Sequence, residues 1–337
     1  MDTLDQPQQP QSEKTATETP KIPTTAEICE HFLGEIDWRG LDGYCKCPGE
    51  HLHTHATGKK DCKIYTSGKI PSVTCFHDKC FDAVQAANKE IRNVWSLYQP
   101  ELPPEEVAAY KERAAKKKML IEKARQSLPD ILKRFAWTMD DMARECPSLA
   151  EETNTQQWHK FLELYDDNDV LWVGDPESTG SSIHAARFRR VVEWKYTPEP
   201  VGQFTCPSVF KRGVWSRSNA NVVSTPYLVL ECDAVLGECK TDEDKVANMN
   251  ACGAIFRWLR EAVGLDLRQV VTSGNKSLHA WVRMPTEAIL EDLKVILPEL
   301  GVDRISFKPA QPMRVAGGTR VFKDGRTVSQ RVLWRAV

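Results

Sequence analysis

The sequence lacks any long hydrophobic run: nowhere in its 337 residues does an apolar stretch approach the roughly 20 residues that a membrane-spanning helix needs. Its first 24 residues, rich in Gln, Pro and Thr, contain no apolar signal segment. They read as a disordered lead-in, and the cytoplasm is the expected location, with no membrane partner. A formal net charge of only −2 rules out a global electrostatic pull toward polyanions. Internal repeats are absent, which argues against a solenoid. Nothing suggests secretion, so the eleven cysteines are expected as reduced thiols rather than disulfides.

What is present is unevenly placed. Five cysteines (Cys45, Cys47, Cys62, Cys75, Cys80) and four of the eight histidines (His51, His53, His55, His77) crowd into one short window, a distribution typical of a metal site. Charge is local as well. Residues 110–134 hold nine Lys/Arg against three acids, a balance of +6, and residues 304–337 hold eight against one, +7. Basic patches on a near-neutral chain suit a polyanion bound in one groove, although solvated helix and strand faces give the same pattern. Hydrophobic periodicity predicts helices over 28–33, 82–97, 102–128, several within 129–165, and over 242–264 and 286–300. Strands are expected at 170–174, 227–230, 268–272, 278–283 and 329–334. This order predicts an α+β chain: a disordered segment 1–24, a Cys/His domain 25–98, a helical basic linker 99–135 and a larger domain 136–337. The low apolar content of the linker argues against its burial.

In the Cys/His window, Cys47 is followed by Pro48 and then, six positions on, by His53, and Cys75-x4-Cys80 closes the set after a hairpin-sized gap. Two such knuckles can bring four borderline donors into a tetrahedron around Zn²⁺. The preferred ligands are Cys47, His53, Cys75 and Cys80, with Cys45, His51, His55, Cys62 and His77 as substitutes for any of them.

Three segments further along carry candidate chemistry. YLVLECD is an apolar strand ending in Glu231 and Asp233, two carboxylates that strand periodicity places on one face, where a divalent cation would relieve their repulsion. SGNKSLHAW is a glycine turn entering a strand on which Ser277 and His279 share a face, with Lys276 at the turn; amides near Gly274 would complete a phosphate-binding corner. GVD places Asp303 just after a helix, and Arg314, a Gly317-Gly318 turn and Arg320 follow. Each segment alone has a bland reading as a solvated strand end, a structural histidine or a turn acid.

The ordered set resembles the archaeo-eukaryotic primase superfamily, in particular its phage- and plasmid-type members, and covers residues 171–334. The words CPGEHLHT and VTCFHDKC resemble the Cys-His-Cys-Cys zinc ribbon of bacterial and phage primases, which favours Cys47, His53, Cys75 and Cys80. The resemblance implies an RNA-recognition-motif-like catalytic core beside a small α/β subdomain, preceded by the ribbon. It implies a DNA primase or primase-polymerase acting on single-stranded DNA and nucleoside triphosphates, with a replicative helicase as a candidate partner. Glu231, Asp233 and Asp303 would then hold Mg²⁺ or Mn²⁺, and Lys276, Ser277 and His279 would grip the incoming phosphates. Arg314 and Arg320 would meet triphosphate or template. The sequence departs from many members in having Glu231 where they have Asp. The alternative is a zinc-dependent DNA-binding replication factor that keeps the fold without catalysis. A Toprim core, the other primase class with this ribbon, would need a Glu followed by Asp-x-Asp, which the sequence does not offer.

Overall fold

A computed structural model of the chain describes residues 22–53, 58, 60–67, 70–75, 77–99, 103–175 and 186–336. They fall into two compact units, Met1–Val107 and Ala108–Val337. The expected disordered lead-in lies, up to residue 21, outside the described residues, as does His55. No helix among the described residues is long and apolar enough to cross a membrane.

The first unit opens with α1 (Thr25–Leu33), started by a reciprocal box in which the Glu27 amide donates to Thr24 Oγ1 and the Thr24 amide to Glu27 Oε2. An antiparallel meander follows: β1 (Ile36–Arg39), β2 (Asp42–Cys45), β3 (Cys62–Tyr65) and β4 (Ser72–Cys75), paired in sequence order. Its register sets Cys45 opposite Cys62 and Cys62 opposite Cys75. Helix α2 (Phe81–Leu97) packs back on the meander, burying Val84 and Ile91 with Ile28, Ile64 and Val73. Its buried Asn88 finishes the sheet edge, accepting from the Val73 amide at 2.7 Å and donating to the Val73 carbonyl at 2.8 Å.

The helices of the second unit are α3 (Pro104–Arg134, beginning within the first unit's bounds), α4 (Met139–Glu145), α5 (Asn154–Leu162), α6 (Val191–Trp194), α7 (Asp242–Trp258) and α8 (Glu287–Ile296). Its strands are β5 (Val170–Gly174), β6 (Phe188–Arg190), β7 (Phe204–Thr205), β8 (Val209–Phe210), β9 (Val222–Ser224), β10 (Tyr227–Glu231), β11 (Leu267–Thr272), β12 (Leu278–Arg283), β13 (Met313–Arg314), β14 (Thr319–Val321), β15 (Thr327–Ser329) and β16 (Val332–Arg335). Helices α4, α5 and α7 begin with the same reciprocal box as α1, on Thr138, Thr153 and Thr241. The chain is therefore mixed α+β with antiparallel sheets.

One sheet runs β10-β12-β11-β16 and a second runs β13-β7-β5-β8-β9, with β6 on β5. The first sheet is covered on both faces. Leu228, Leu230, Val270 and Ala280 pack on α7, Leu293 of α8, and Ala124 and Ile131 of α3. The alternate residues Tyr227, Val229, Val271 and Trp281 pack with Trp158 and Phe161 of α5 and with Leu171 and Val173 of the second sheet. Double coverage explains why YLVL and LHAWV read as continuous apolar runs rather than alternating ones. Most of the basic linker helix is exposed, as its low apolar content leads one to expect, with one departure. The C-terminal part of α3 packs into the second unit's core through Ala124 and Ile131, and Arg125 Nε meets Glu299 at 2.8 Å.

Candidate functional site

In the first unit Cys47, His53, Cys75 and Cys80 place their ligand atoms within 4.8 Å of one another, a Cys3His cluster that could hold a metal ion such as zinc. The meander brings Cys75 in at the end of β4, and a tight knuckle brings in Cys47. The Gly49 amide donates to Cys47 Sγ at 3.3 Å, and a Cβ on Gly49 would lie 2.6 Å from that of Cys80, so only glycine lets the two knuckles meet. His53 turns Nε2 toward Cys75 Sγ (3.7 Å) and sets Nδ1 3.4 Å from Asp61 Oδ2. A buried carboxylate behind a ligating imidazole holds the ring's tautomer and orientation. The sequence reading passed over Asp61, because one acid in a polar loop carries no distinguishing signal.

The thiols feel one another. Burial pushes the Cys80 thiol up to about 12, with Cys75 and Cys47 adding to it. For Cys75 burial also acts upward, but bonds from the backbone and ring of His77, then from Cys80 and Cys47, outweigh it and bring the thiol down to about 6. A cation at the centre would favour thiolate at all three cysteines. Of the substitute ligands, His77 sets Nδ1 3.4 Å from Cys75 Sγ, and its ring lies tilted against that of His53 with centroids 4.1 Å apart. Cys45 and Cys62 are buried beside the cluster as a cross-strand pair, and His51 is exposed.

In the second unit the three sequence motifs meet. Glu231, the last residue of β10, stands directly opposite His279 of β12, and Glu231 Oε1 lies 3.2 Å from His279 Nε2. Ser277 Oγ donates to the same oxygen at 3.4 Å. The Asp303 amide donates to the Glu231 carbonyl at 2.8 Å, and Cys232 pairs with Val302 in an antiparallel bridge. Asp233 lies beyond the strand end, 3.3 Å from Lys276 Nζ. Burial pushes the Glu231 carboxyl up, but His279, then Arg314 and Ser277, pull the other way and hold it at about 2.

Two features differ from the expected arrangement. The three carboxylates do not converge on one point. Asp303 accepts from the Ile305 amide at 2.9 Å, and Asp233 faces Lys276. Among the described residues only the Cys/His set brings metal-ligand atoms that close together. The expected amide at Gly274 is also engaged, donating to Thr272 Oγ1 at 3.1 Å.

The buried Asn248 of α7, absent from the sequence reading, ties these motifs together. It donates to the Cys232 carbonyl at 3.1 Å and the Lys276 carbonyl at 2.8 Å, and it accepts from the Val235 amide at 2.8 Å. Between the two sheets, Arg314 lies 4.0 Å over the Phe204 ring, and its Nη1 donates to Gln203 Oε1 at 2.9 Å. Gln330, with its amide turned to satisfy both ends, accepts from Arg314 Nη1 and donates to the Gln203 carbonyl. Burial and then Arg320 push Arg314 down to about 10, so it stays charged at neutral pH. Arg320 donates to the Ser273 carbonyl at 3.3 Å. A cavity of about 550 Å³ opens here, lined by Asp175, Gln203, Phe204, Arg314, Arg320 and Phe322 among others.

No family model, curated protein or solved structure matches this chain. The arrangement is therefore read on its chemistry: one thiol-imidazole cluster, and one strand-end set of carboxylates, an imidazole and partly buried guanidinium groups.

Proposed function

We propose that the chain is a strand-initiating nucleotidyltransferase of the archaeo-eukaryotic primase type, acting on a single-stranded DNA template. One observation carries this reading: Glu231 and His279 are cross-strand partners, and the Asp303 amide bonds the Glu231 carbonyl, so residues 72 positions apart in the sequence share one strand end. The order β10, α7, β11, β12, α8 and then the Val302 bridge beside Cys232 also fits. It follows the β-α-β-β-α-β course of an RNA-recognition-motif-like sheet, with the last strand reduced to a bridge.

In this reading Glu231, Asp233 and Asp303 hold Mg²⁺ or Mn²⁺, which when bound neutralises triphosphate charge and favours the attacking alkoxide. Glu231 is already ionised by its surroundings. Asp233 is partly exposed and Asp303 exposed, and the reading requires both to turn from their present partners, Lys276 and the Ile305 amide, toward Glu231. Lys276, released from Asp233, Ser277 and His279 grip the incoming phosphates. Arg314, held by Gln203 and Gln330, and Arg320 supply positive charge beside them. A 3′-hydroxyl attacks the α-phosphate in line, and pyrophosphate leaves. The Cys47, His53, Cys75, Cys80 cluster holds Zn²⁺, because three thiolates and an imidazole suit a closed structural zinc site, and its module touches the template.

Primer synthesis on single-stranded DNA with Mg²⁺ or Mn²⁺ tests the reading. Asp233→Asn is expected to lower the rate by at least about 100-fold. Activity unchanged by that substitution would remove the metal assignment. Template binding without synthesis in the wild type would favour the non-catalytic DNA-binding factor.

A further inference from the structure

The loop joining β8 to β9 is built in an unusual way. It spans Lys211 to Asn221, and its sequence interleaves cations with one aromatic residue: Lys-Arg-Gly-Val-Trp-Ser-Arg. No Asp or Glu occurs anywhere from Val201 to Leu230. The loop is held by its own bonds. The Lys211 amide donates to the Asn221 carbonyl at 2.9 Å, Lys211 Nζ to the Ala220 carbonyl at 2.8 Å and Asn221 Nδ2 to the Ser216 carbonyl at 2.9 Å. Arg217 folds back over the buried Trp172 ring, 4.5 Å from its centroid, which anchors the returning limb. Between these anchors Trp215 is displayed to solvent, 52% exposed, in a chain whose other tryptophans include five that are almost fully buried.

A well-bonded loop that leaves an indole in water forgoes burial that a core position would give, and so points to a partner that covers the ring. Charge decides what kind of partner. Among the described residues Lys211, Arg212 and Arg217 are in no ion pair with a carboxylate; Arg212 Nη2 reaches Asn168 Oδ1 at 3.5 Å, in the turn that also carries Asp166, Asp167 and Asp169, so the positive charge beside the indole is the loop's own. A flat ring ringed by unneutralised cations matches unstacked bases on a phosphate backbone, since every base has a face to stack and every step a negative charge. The loop also belongs to the same sheet as Arg314.

We propose that the Lys211–Asn221 loop is a single-stranded nucleic-acid contact, with Trp215 stacking on a base and Arg212 meeting the adjacent phosphate. The identity of the ligand rests on the strand-synthesis reading, while the surface itself does not depend on catalysis.

The test uses the full chain and oligo(dT) carrying 5-iodouracil, irradiated and mapped by mass spectrometry, with anisotropy titrations beside it. The adduct is expected on Trp215. Trp215→Ala should weaken oligo(dT) binding by about 5- to 150-fold, the range for losing one stacked base, while Trp215→Phe keeps most of the affinity. Arg212→Ala should reduce the slope of log affinity against log salt by about 0.7, one phosphate contact. Unchanged circular dichroism and melting show that the variants remain folded. Adducts only elsewhere, no binding at all, Trp215→Ala binding as tightly as wild type, or a Trp215-dependent preference for poly-glutamate over oligo(dT) would each overturn the proposal. Trp215-dependent binding without primer synthesis would sink the enzymatic reading and leave this one standing. Synthesis with no adduct at Trp215 would do the reverse.

Discussion

Asn248 shows how one buried amide can govern a site it does not join. It donates to the Cys232 and Lys276 carbonyls and accepts from the Val235 amide. Asn248→Ala would remove all three bonds and leave the Cys232 carbonyl only the weak thiol donor of Cys252 at 3.2 Å, so it should cost about 1–3 kcal/mol in a urea titration. Equal stability of the variant would show that water replaces the amide. Glu231 makes a second prediction at this scale. Its folded-state carboxyl sits near 2, below the ordinary 4.5. The ionised form therefore stabilises the fold fully above about pH 4.5, and that stability drains away as the pH falls toward 2. Glu231→Gln should flatten acid unfolding across that window by on the order of 2 kcal/mol. An unaltered acid profile would mean that His279 does not act on the carboxylate.

At the level of elements, a metal ion in the Cys3His cluster is expected to hold the four-stranded meander and its two knuckles more than their small core does, whose buried members include Ile28, Ile64, Val73, Val84 and Ile91. A module of this size needs a staple. Purified protein should carry about one zinc per chain, and Cys75→Ser combined with Cys80→Ser should remove it, as atomic absorption would read. Asp61→Ala should leave the four ligands in place and still weaken zinc by about 10- to 100-fold in a competitive chelator titration, because the carboxylate orients His53. Zinc retained in the double serine variant would overturn the ligand set. The ligands themselves were legible in the sequence, since spacing and donor type survive without tertiary information. Asp61 was not, because its role exists only once β3 brings it behind His53.

For the whole molecule, the two units have separate cores, and the metal cluster lies in only one of them. Scanning calorimetry with and without a zinc chelator should therefore lower the melting transition of the first unit well before that of the second. A single transition shifted as one would show instead that the units melt cooperatively. Much of the second unit's order was readable in advance. The runs 170–174, 227–230 and 278–283 became strands β5, β10 and β12 because both faces of those strands are buried, which makes them plain apolar words. The short strands β6–β9 and β13–β15, of two or three residues each, escaped notice, since so few residues carry no period. The terminal strand begins at Val332, three residues later than expected, as Ser329 belongs to β15 and Gln330 turns inward to Arg314.

The sequence by itself determined the chemistry on offer: a thiol-imidazole window, an acid-x-acid strand end, a Ser-x-His strand and a later Asp, each made visible by residue type and local spacing. Only the tertiary structure decided which of these touch. Pairing of β10 with β12 and the bridge at Val302 are non-local hydrogen bonds, and no pattern within a few residues encodes their register. The same holds for Asn248, for Gln203 and Gln330 around Arg314, and for the packing of Ala124 and Ile131 of α3. Each is set by what the folded chain brings against it, and a lone amide or a sparse apolar stripe reads alike in a loop, a surface or a core.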